Sequence, residues 1–201
     1  IYTGEDTLSL HDALPICLIS RLFNIIQMAT CALTQDFNLD CRDSVGGLKE
    51  IYIIESGNIS SVTESSGTLT AITKATGKKF RKYQLELDTS TFEEDLTGNR
   101  QNGTLFVTQT GTIILNKQQA SVRNEILAVG KNRISVVAVD NNGVAKYYGR
   151  VAGLMLTTAK AASGTAWGDR NGYTITLVGS ETEYAPFVDS ATVATLQTLG
   201  T

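Results

Sequence analysis

Two apolar runs, Arg133-Ile134-Ser135-Val136-Val137-Ala138-Val139 and Ala145-Lys146-Tyr147-Tyr148, flank the tetrapeptide Asp140-Asn141-Asn142-Gly143. An Asn-Gly pair between apolar runs predicts a β-hairpin, because these two residues reach positive φ at the lowest steric cost in a tight turn. A hairpin here commits the centre of the chain to adjacent antiparallel strands. The surroundings agree: the chain is rich in Thr, Val, Ile, Gly and Asn, and beyond Pro15 its only proline is Pro186. That is a strand-and-turn composition.

Further strands are predicted over Leu48 to Glu55, set between Gly46-Gly47 and Ser56-Gly57-Asn58, and over Thr68 to Thr73. The polar run from Ser60 to Ser66 reads as a loop. Lys79 to Leu87 and Thr104 to Leu115 show imperfect alternation, as half-buried antiparallel strands do. Asp88 to Asn102 between them is polar and too long for a hairpin loop, which points to a functional connection or one ordered in an assembly. One helix is signalled, with Asn116 as N-cap, Lys117 to Val129 as its body and Gly130 at its end. Its apolar positions occupy one face, so it should lie against a sheet. Leu154 to Thr158 and Tyr173 to Val178 form another strand pair, joined by a stretch rich in small residues. The expected fold is mainly β with one helix: an antiparallel α+β sandwich or barrel.

The N-terminus reads differently. Residues 1–16, Ile-Tyr-Thr-Gly-Glu-Asp-Thr-Leu-Ser-Leu-His-Asp-Ala-Leu-Pro-Ile, resemble a translated sequencing adapter, and Cys17 to Gln27 is a short apolar stretch ending before Met28. The expectation is that residues 1–27 are adapter plus leader, outside the fold, and that residues 28–201 form one domain. A signal peptide is the rival reading, but its apolar core is short, broken by Asn24 and followed by no small-residue cleavage site. The stretch is also too short to cross a bilayer as a helix.

Setting residues 1–27 aside removes His11, the only histidine, and leaves 17 acidic against 16 basic side chains. A nearly neutral chain gives no reason to expect nucleic acid or an anionic membrane as a bound partner. Cys31 and Cys41 lack zinc-site spacing and read as free thiols of a reducing compartment. Without imidazole, Ser-His-Asp and Cys-His catalysis and most zinc or iron sites fall away. Glu93-Glu94-Asp95 is the densest carboxylate cluster, but adjacent side chains on an extended chain diverge, and such a run is usually a solvated face. Asp169-Arg170-Asn171-Gly172 lacks the later ligands of a calcium loop, and no glycine-rich phosphate loop occurs. The expectation is therefore no enzyme, no cofactor and no metal. Trp167, the lone tryptophan, is either a core plug or an interface anchor.

Charge is unevenly placed. Lys74, Lys78, Lys79, Arg81 and Lys82 crowd one segment, and Glu86, Asp88, Glu93, Glu94 and Asp95 the next. If both lie on one long hairpin, they pair within the chain or simply face solvent. Alternatively they form a head-to-tail contact, with the basic patch Lys78, Lys79, Arg81 and Lys82 meeting Glu93, Glu94 and Asp95 of a second copy.

This order of elements resembles the tail-tube family of long-tailed bacteriophages, shared with type VI secretion tube proteins. The helix Asn116–Val129 is similar to the family's helix, and the extended pair over residues 79–115 to its hairpin arm. The runs Asn132 to Gly143 and Gly164 to Thr174 also resemble uncharacterised structural proteins of Bacteroidetes phages and prophages. The resemblance implies a virion protein that assembles with itself into stacked rings, hexameric in that family, by continuing its sheet around each ring. It implies other tail proteins as partners, and DNA passing through the lumen without being gripped. Assembly would occur in the bacterial host cytoplasm, without a membrane. Two other readings stand beside it: another virion part such as a head decoration or adaptor protein, and a carbohydrate-binding β-domain. The last needs exposed aromatics on one face, for which Tyr147, Tyr148, Trp167 and Tyr173 are the candidates.

Overall fold

The computed structural model describes residues 35–38 and 41–200. Its strands are β1 (Leu48–Glu55), β2 (Ile59–Ser65), β3 (Thr68–Lys74), β4 (Arg81–Gln84), β5 (Thr91–Asn99), β6 (Thr104–Asn116), β7 (Ile134–Asp140), β8 (Ala145–Tyr148), β9 (Met155–Ala162), β10 (Gly172–Glu181) and β11 (Phe187–Val188). Helix α1 (Ala120–Lys131) separates β6 from β7, and a short helix α2 (Ser190–Thr195) follows β11. These elements belong to the compact unit Asp43–Thr201. Ahead of it, residues 35–38 and 41–42 are exposed and carry no helix or strand. The expected exclusion of residues 1–27, His11 and Cys31 lie outside the described residues.

The predicted hairpin is β7–β8, in antiparallel register from Val136 opposite Tyr148 to Val139 opposite Ala145. Its loop has three residues: Asp140 N–H donates to the Val144 carbonyl (2.9 Å) and Gly143 N–H to that of Asp140 (3.1 Å). Gly143 alone supplies the positive φ, +82°, as in a type I turn closed by a left-handed residue. The Asn141 and Asn142 side chains instead reach across to the carbonyls of Gly46 and Val45, each at 2.7 Å, and fix the entry to β1.

Residues Ile134 to Val139 are all buried, because β7 is covered on both faces. The strands run β2-β3-β11-β8-β7-β1-β4 in a seven-stranded sheet and β5-β6-β10-β9 in a four-stranded one. Ile134, Val136 and Ala138 join Ile51, Ile113, Ile175 and Leu177 in a core shared by the two sheets. Val137 and Val139 face the other way, into a second core with Tyr52, Leu69, Phe80, Tyr147 and Leu196. A continuous apolar run is what a strand buried on both sides requires. The mainly-β expectation holds as an open sandwich; β2 and β4 stand at opposite ends of their sheet, so no barrel closes. Among the named strands all pairings are antiparallel except β11 with β3, and an isolated parallel bridge joins Thr76 to Gly200.

Three local expectations are corrected. Ser60 to Ser66 is no loop: β2 pairs with β3 there, its alternate polar side chains facing solvent. Asp88 to Asn102 is not an unstructured connection either, because β5 pairs with β6 from Thr91–Thr112 to Asn99–Thr104. Consequently Lys79–Leu87 and Thr104–Leu115 are not partners. β4 pairs with β1 in the seven-stranded sheet, and the long hairpin is β5–β6 in the other.

Helix α1 also starts later than expected. Asn116 remains in the sheet opposite Gly172, Lys117 adopts φ +72°, and Gln119 takes the N-cap position without a side-chain cap. Gly130 lies inside the helix, where a Cβ would stand in ordinary contact with Leu156. Val122, Ile126 and Val129 rest on the core shared by the sheets, as one-faced patterning requires.

Candidate functional site

The basic segment is shaped by Phe80. Its fully buried ring plugs the second core and its N–H donates to the Leu196 carbonyl (3.1 Å), so Lys79 and Arg81 turn away from that core. Gly77, at φ +76°, makes the preceding turn, and Gly200 N–H holds the Lys78 carbonyl at 2.8 Å. Lys78 and Arg81 are exposed and Lys79 half-buried. These three line one cleft of about 400 Å³, with Ile53, Val129 and Leu199 among its apolar walls and Glu55 and Glu125 as its acids.

Lys82 is engaged elsewhere. Its Nζ stands 2.6 Å from Glu50, which also accepts the Tyr52 hydroxyl at 2.7 Å. Burial alone would raise the Glu50 carboxyl, but the Lys82 ammonium and Tyr52 hydroxyl outweigh it and hold it below the usual carboxylate range. The same contact raises Lys82. Both charges are thus satisfied across the β1–β4 pair, on the diagonal between the Tyr52–Lys82 and Glu50–Gln84 rungs.

On the acidic side, the strand period of two separates three consecutive carboxylates. Glu93 and Asp95 are exposed, whereas the Glu94 side chain, 7% accessible, turns inward. It accepts hydrogen bonds from Lys146 Nζ (3.0 Å), Gln109 Nε2 (3.2 Å) and Ala185 N–H (2.6 Å). Gln109, itself buried, accepts the Gly149 N–H at 2.9 Å. This polar chain joins β5 and β6 to β8 and to the segment before β11, so Glu94 clamps the two sheets together. Gln109 and Lys146 were not expected in this role; a glutamine in the interior-facing register of β6 is the signal that could have found them. Glu93 lines a separate cavity of about 350 Å³ with Asp140, Lys146 and Tyr148.

The structure therefore brings Lys78, Lys79 and Arg81 together, and places Glu93 and Asp95 on a different sheet. No ion pair joins the two groups among the described residues. The shared-hairpin expectation is overturned, and Lys82 and Glu94 already have partners in their own chain.

The aromatics divide sharply. Tyr147, Tyr148 and Tyr173 are buried, at 1%, 5% and 8% exposure, whereas Trp167 is fully exposed. The core-plug reading of Trp167 is excluded, and the aromatic face a sugar-binding domain needs is not present among these four residues. Trp167 sits in the β9–β10 loop, which is tightly made. Asp169 accepts the Thr165 and Ala166 N–H groups, both at 2.8 Å, and returns its own N–H to the Ala166 carbonyl (3.1 Å). The Ala166 and Thr165 amides hold the Asp169 carboxyl below its ordinary value.

Among the described residues the four-stranded sheet has two open edges, since β5 pairs there only with β6 and β9 only with β10. β10 ends opposite Val107, so the β5–β6 rungs from Thr97–Phe106 to Asn99–Thr104 have no third strand among the described residues. Leu96, Leu105 and Phe106 are exposed on this arm. Among the described residues no cluster of His, Cys, Asp and Glu could hold a metal ion, and no helix is long and apolar enough to cross a membrane. No protein-family model, curated protein or solved structure matches this chain.

Proposed function

We propose that this chain is a self-assembling structural subunit of a phage virion, the tail tube in particular, in which stacked rings form a conduit that DNA crosses without being gripped. The observation that supports this reading is the pair of open edges on the four-stranded sheet, with a bare hairpin arm beside one of them. Edge strands of monomeric proteins are normally blunted by charge, proline or bulges. Along β9, Met155-Leu156-Thr157-Thr158-Ala159-Lys160-Ala161-Ala162, a single lysine is the only charge and the one irregularity is the extra residue Thr157, which leaves Thr158 to Ala162 in regular register. Such an edge is suited to receive β5 of the next copy, and a heterologous contact of this kind closes into a ring or propagates as a tube. Glu93 and Asp95, on the outer strand β5, are then free to meet Lys160. The arm of the resemblance is assigned to residues 91–116 rather than 79–115.

The test is negative-stain microscopy of purified residues 28–201 across a concentration series. Rings or tubes are expected. A monomer at every concentration would count against self-assembly, and discrete non-stacking rings would favour a head adaptor over a tube.

A further inference from the structure

We propose that Trp167 is the knob of a second self-contact, docking into the cleft lined by Lys78, Lys79 and Arg81 on another copy of this chain. The inference rests on the self-assembly reading and adds to it a contact separate from the sheet edges.

A tryptophan is the most costly side chain to leave in water without use, because it withholds up to about 250 Å² from burial. Trp167 is wholly exposed, yet its loop is not loose. Two amides close on Asp169, and Gly164 at φ +76° occupies a position where a Cβ would collide with the Asp169 side chain. A rigid loop loses little conformational freedom on docking, so it is already shaped for contact.

The cleft has matching chemistry. Its volume of about 400 Å³ falls within the range of pockets that enclose small molecules, which is room for an indole. Its wall includes Leu199, 61% exposed and so left uncovered by the described residues. Its rim carries Lys78 and Arg81, neither in a salt bridge among the described residues. Indole is the best side-chain acceptor for a cation–π contact, and the contact strengthens when water is excluded. Asp169, two residues from Trp167, adds a carboxylate facing the same cations. Glu55 and Glu125 leave the rim only modestly positive, so the apolar wall and the ring face carry the recognition. Knob and socket are different surfaces, which makes the contact head-to-tail.

Because Trp167 is the only tryptophan, its fluorescence reads this contact directly. The full chain is expected to show the emission of a solvated indole when dilute, and a blue shift with protection from acrylamide as it associates. Trp167→Ala (knob lost) and Lys78→Glu with Arg81→Glu (socket lost) should each raise the midpoint of self-association by roughly tenfold or more. Both changes are at exposed positions, and circular dichroism should remain that of the parent. Mixing the two variants should restore one knob-in-socket contact per pair, read as a blue shift of the Trp167 emission that the socket variant alone does not show.

Rings or tubes whose tryptophan stays solvated would overturn this inference and leave the proposed function standing. No assembly at any concentration would overturn both. A blue shift in the dilute monomer, or one that appears only with a different tail protein, would overturn the second copy as the occupant.

Discussion

The ring of Phe92 lies across Gly111 on the neighbouring strand, in the space a Cβ would occupy, and stacks on Tyr148 with ring centroids 4.3 Å apart. Gly111 and Phe92 are directly opposed in the β5–β6 register. An aromatic covering a strand glycine restores the contact area that the missing side chain gives up. Gly111→Ala should push Phe92 off Tyr148 and cost about 1–3 kcal/mol, the usual range for overpacking. The check is the urea midpoint at unchanged m-value. An unaltered midpoint would mean that the ring moves aside freely.

Adjacent carboxylates should behave in opposite ways. Glu94→Ala leaves the Ala185 N–H and the Gln109 amide without their acceptor and the Lys146 ammonium without its partner. An unmet buried polar group costs about 1–3 kcal/mol, and more where charge is involved. Glu93→Ala and Asp95→Ala, on the solvated face, should stay within about 0.5 kcal/mol. Thermal unfolding of the three single variants separates the inward position from the outward ones. Equal losses at all three would contradict the inward placement of Glu94.

How far sequence reading reached depended on how the strands are solvated. β1, the β7–β8 hairpin and β10 are legible because each carries apolar side chains at the period its burial demands; β9 is legible only as far as Thr158, and its exposed continuation to Ala162 falls in the stretch expected to connect the pair. β2 and β5 are not, since both lie at sheet edges and present polar residues to water, so their strand character comes from backbone pairing. The charged clusters illustrate the same limit. Glu93, Glu94 and Asp95 look equivalent as a string, and only the register opposite Thr110, Gln109 and Thr108 shows which one turns inward. Asn116 fails as a helix cap because its place in the sheet opposite Gly172 competes with it.

Two kinds of buried group should shape the alkaline limb of stability. Lys74, 6% exposed, donates to the Thr195 carbonyl (2.7 Å) and the Thr198 hydroxyl (3.4 Å), and burial lowers its pKa below the ordinary lysine value of 10.5. Between that lowered value and 10.5 the unfolded chain binds more protons than the folded one, so this group makes stability rise with pH there. Burial raises Tyr83, Tyr147 and Tyr148 above 10.0. Their contribution is fully present below pH 10 and is lost as pH climbs toward their folded values. Lys74→Met should abolish the rise below pH 10.5, and Tyr148→Phe should soften the fall above pH 10. Urea midpoints from pH 8 to 11 distinguish the two; matching profiles for variant and parent would remove the assignment.

The open edge of β9 gives the most direct handle on assembly. Thr158 stands opposite Thr176 on the outer face, two residues from Lys160. Thr158→Lys places two like charges along that face, the device by which soluble proteins keep an edge strand from pairing. Folding should be little affected, since the residue is exposed and keeps its ladder position, and melting should remain within about 0.5 kcal/mol of the parent. Self-association should weaken strongly, because each incoming β5 would have to bury a second ammonium beside the new backbone bonds. Sedimentation velocity at matched concentrations measures this. A variant that assembles as the parent does would exclude β9 from the contact and leave the β5 edge and its arm as the surface to examine.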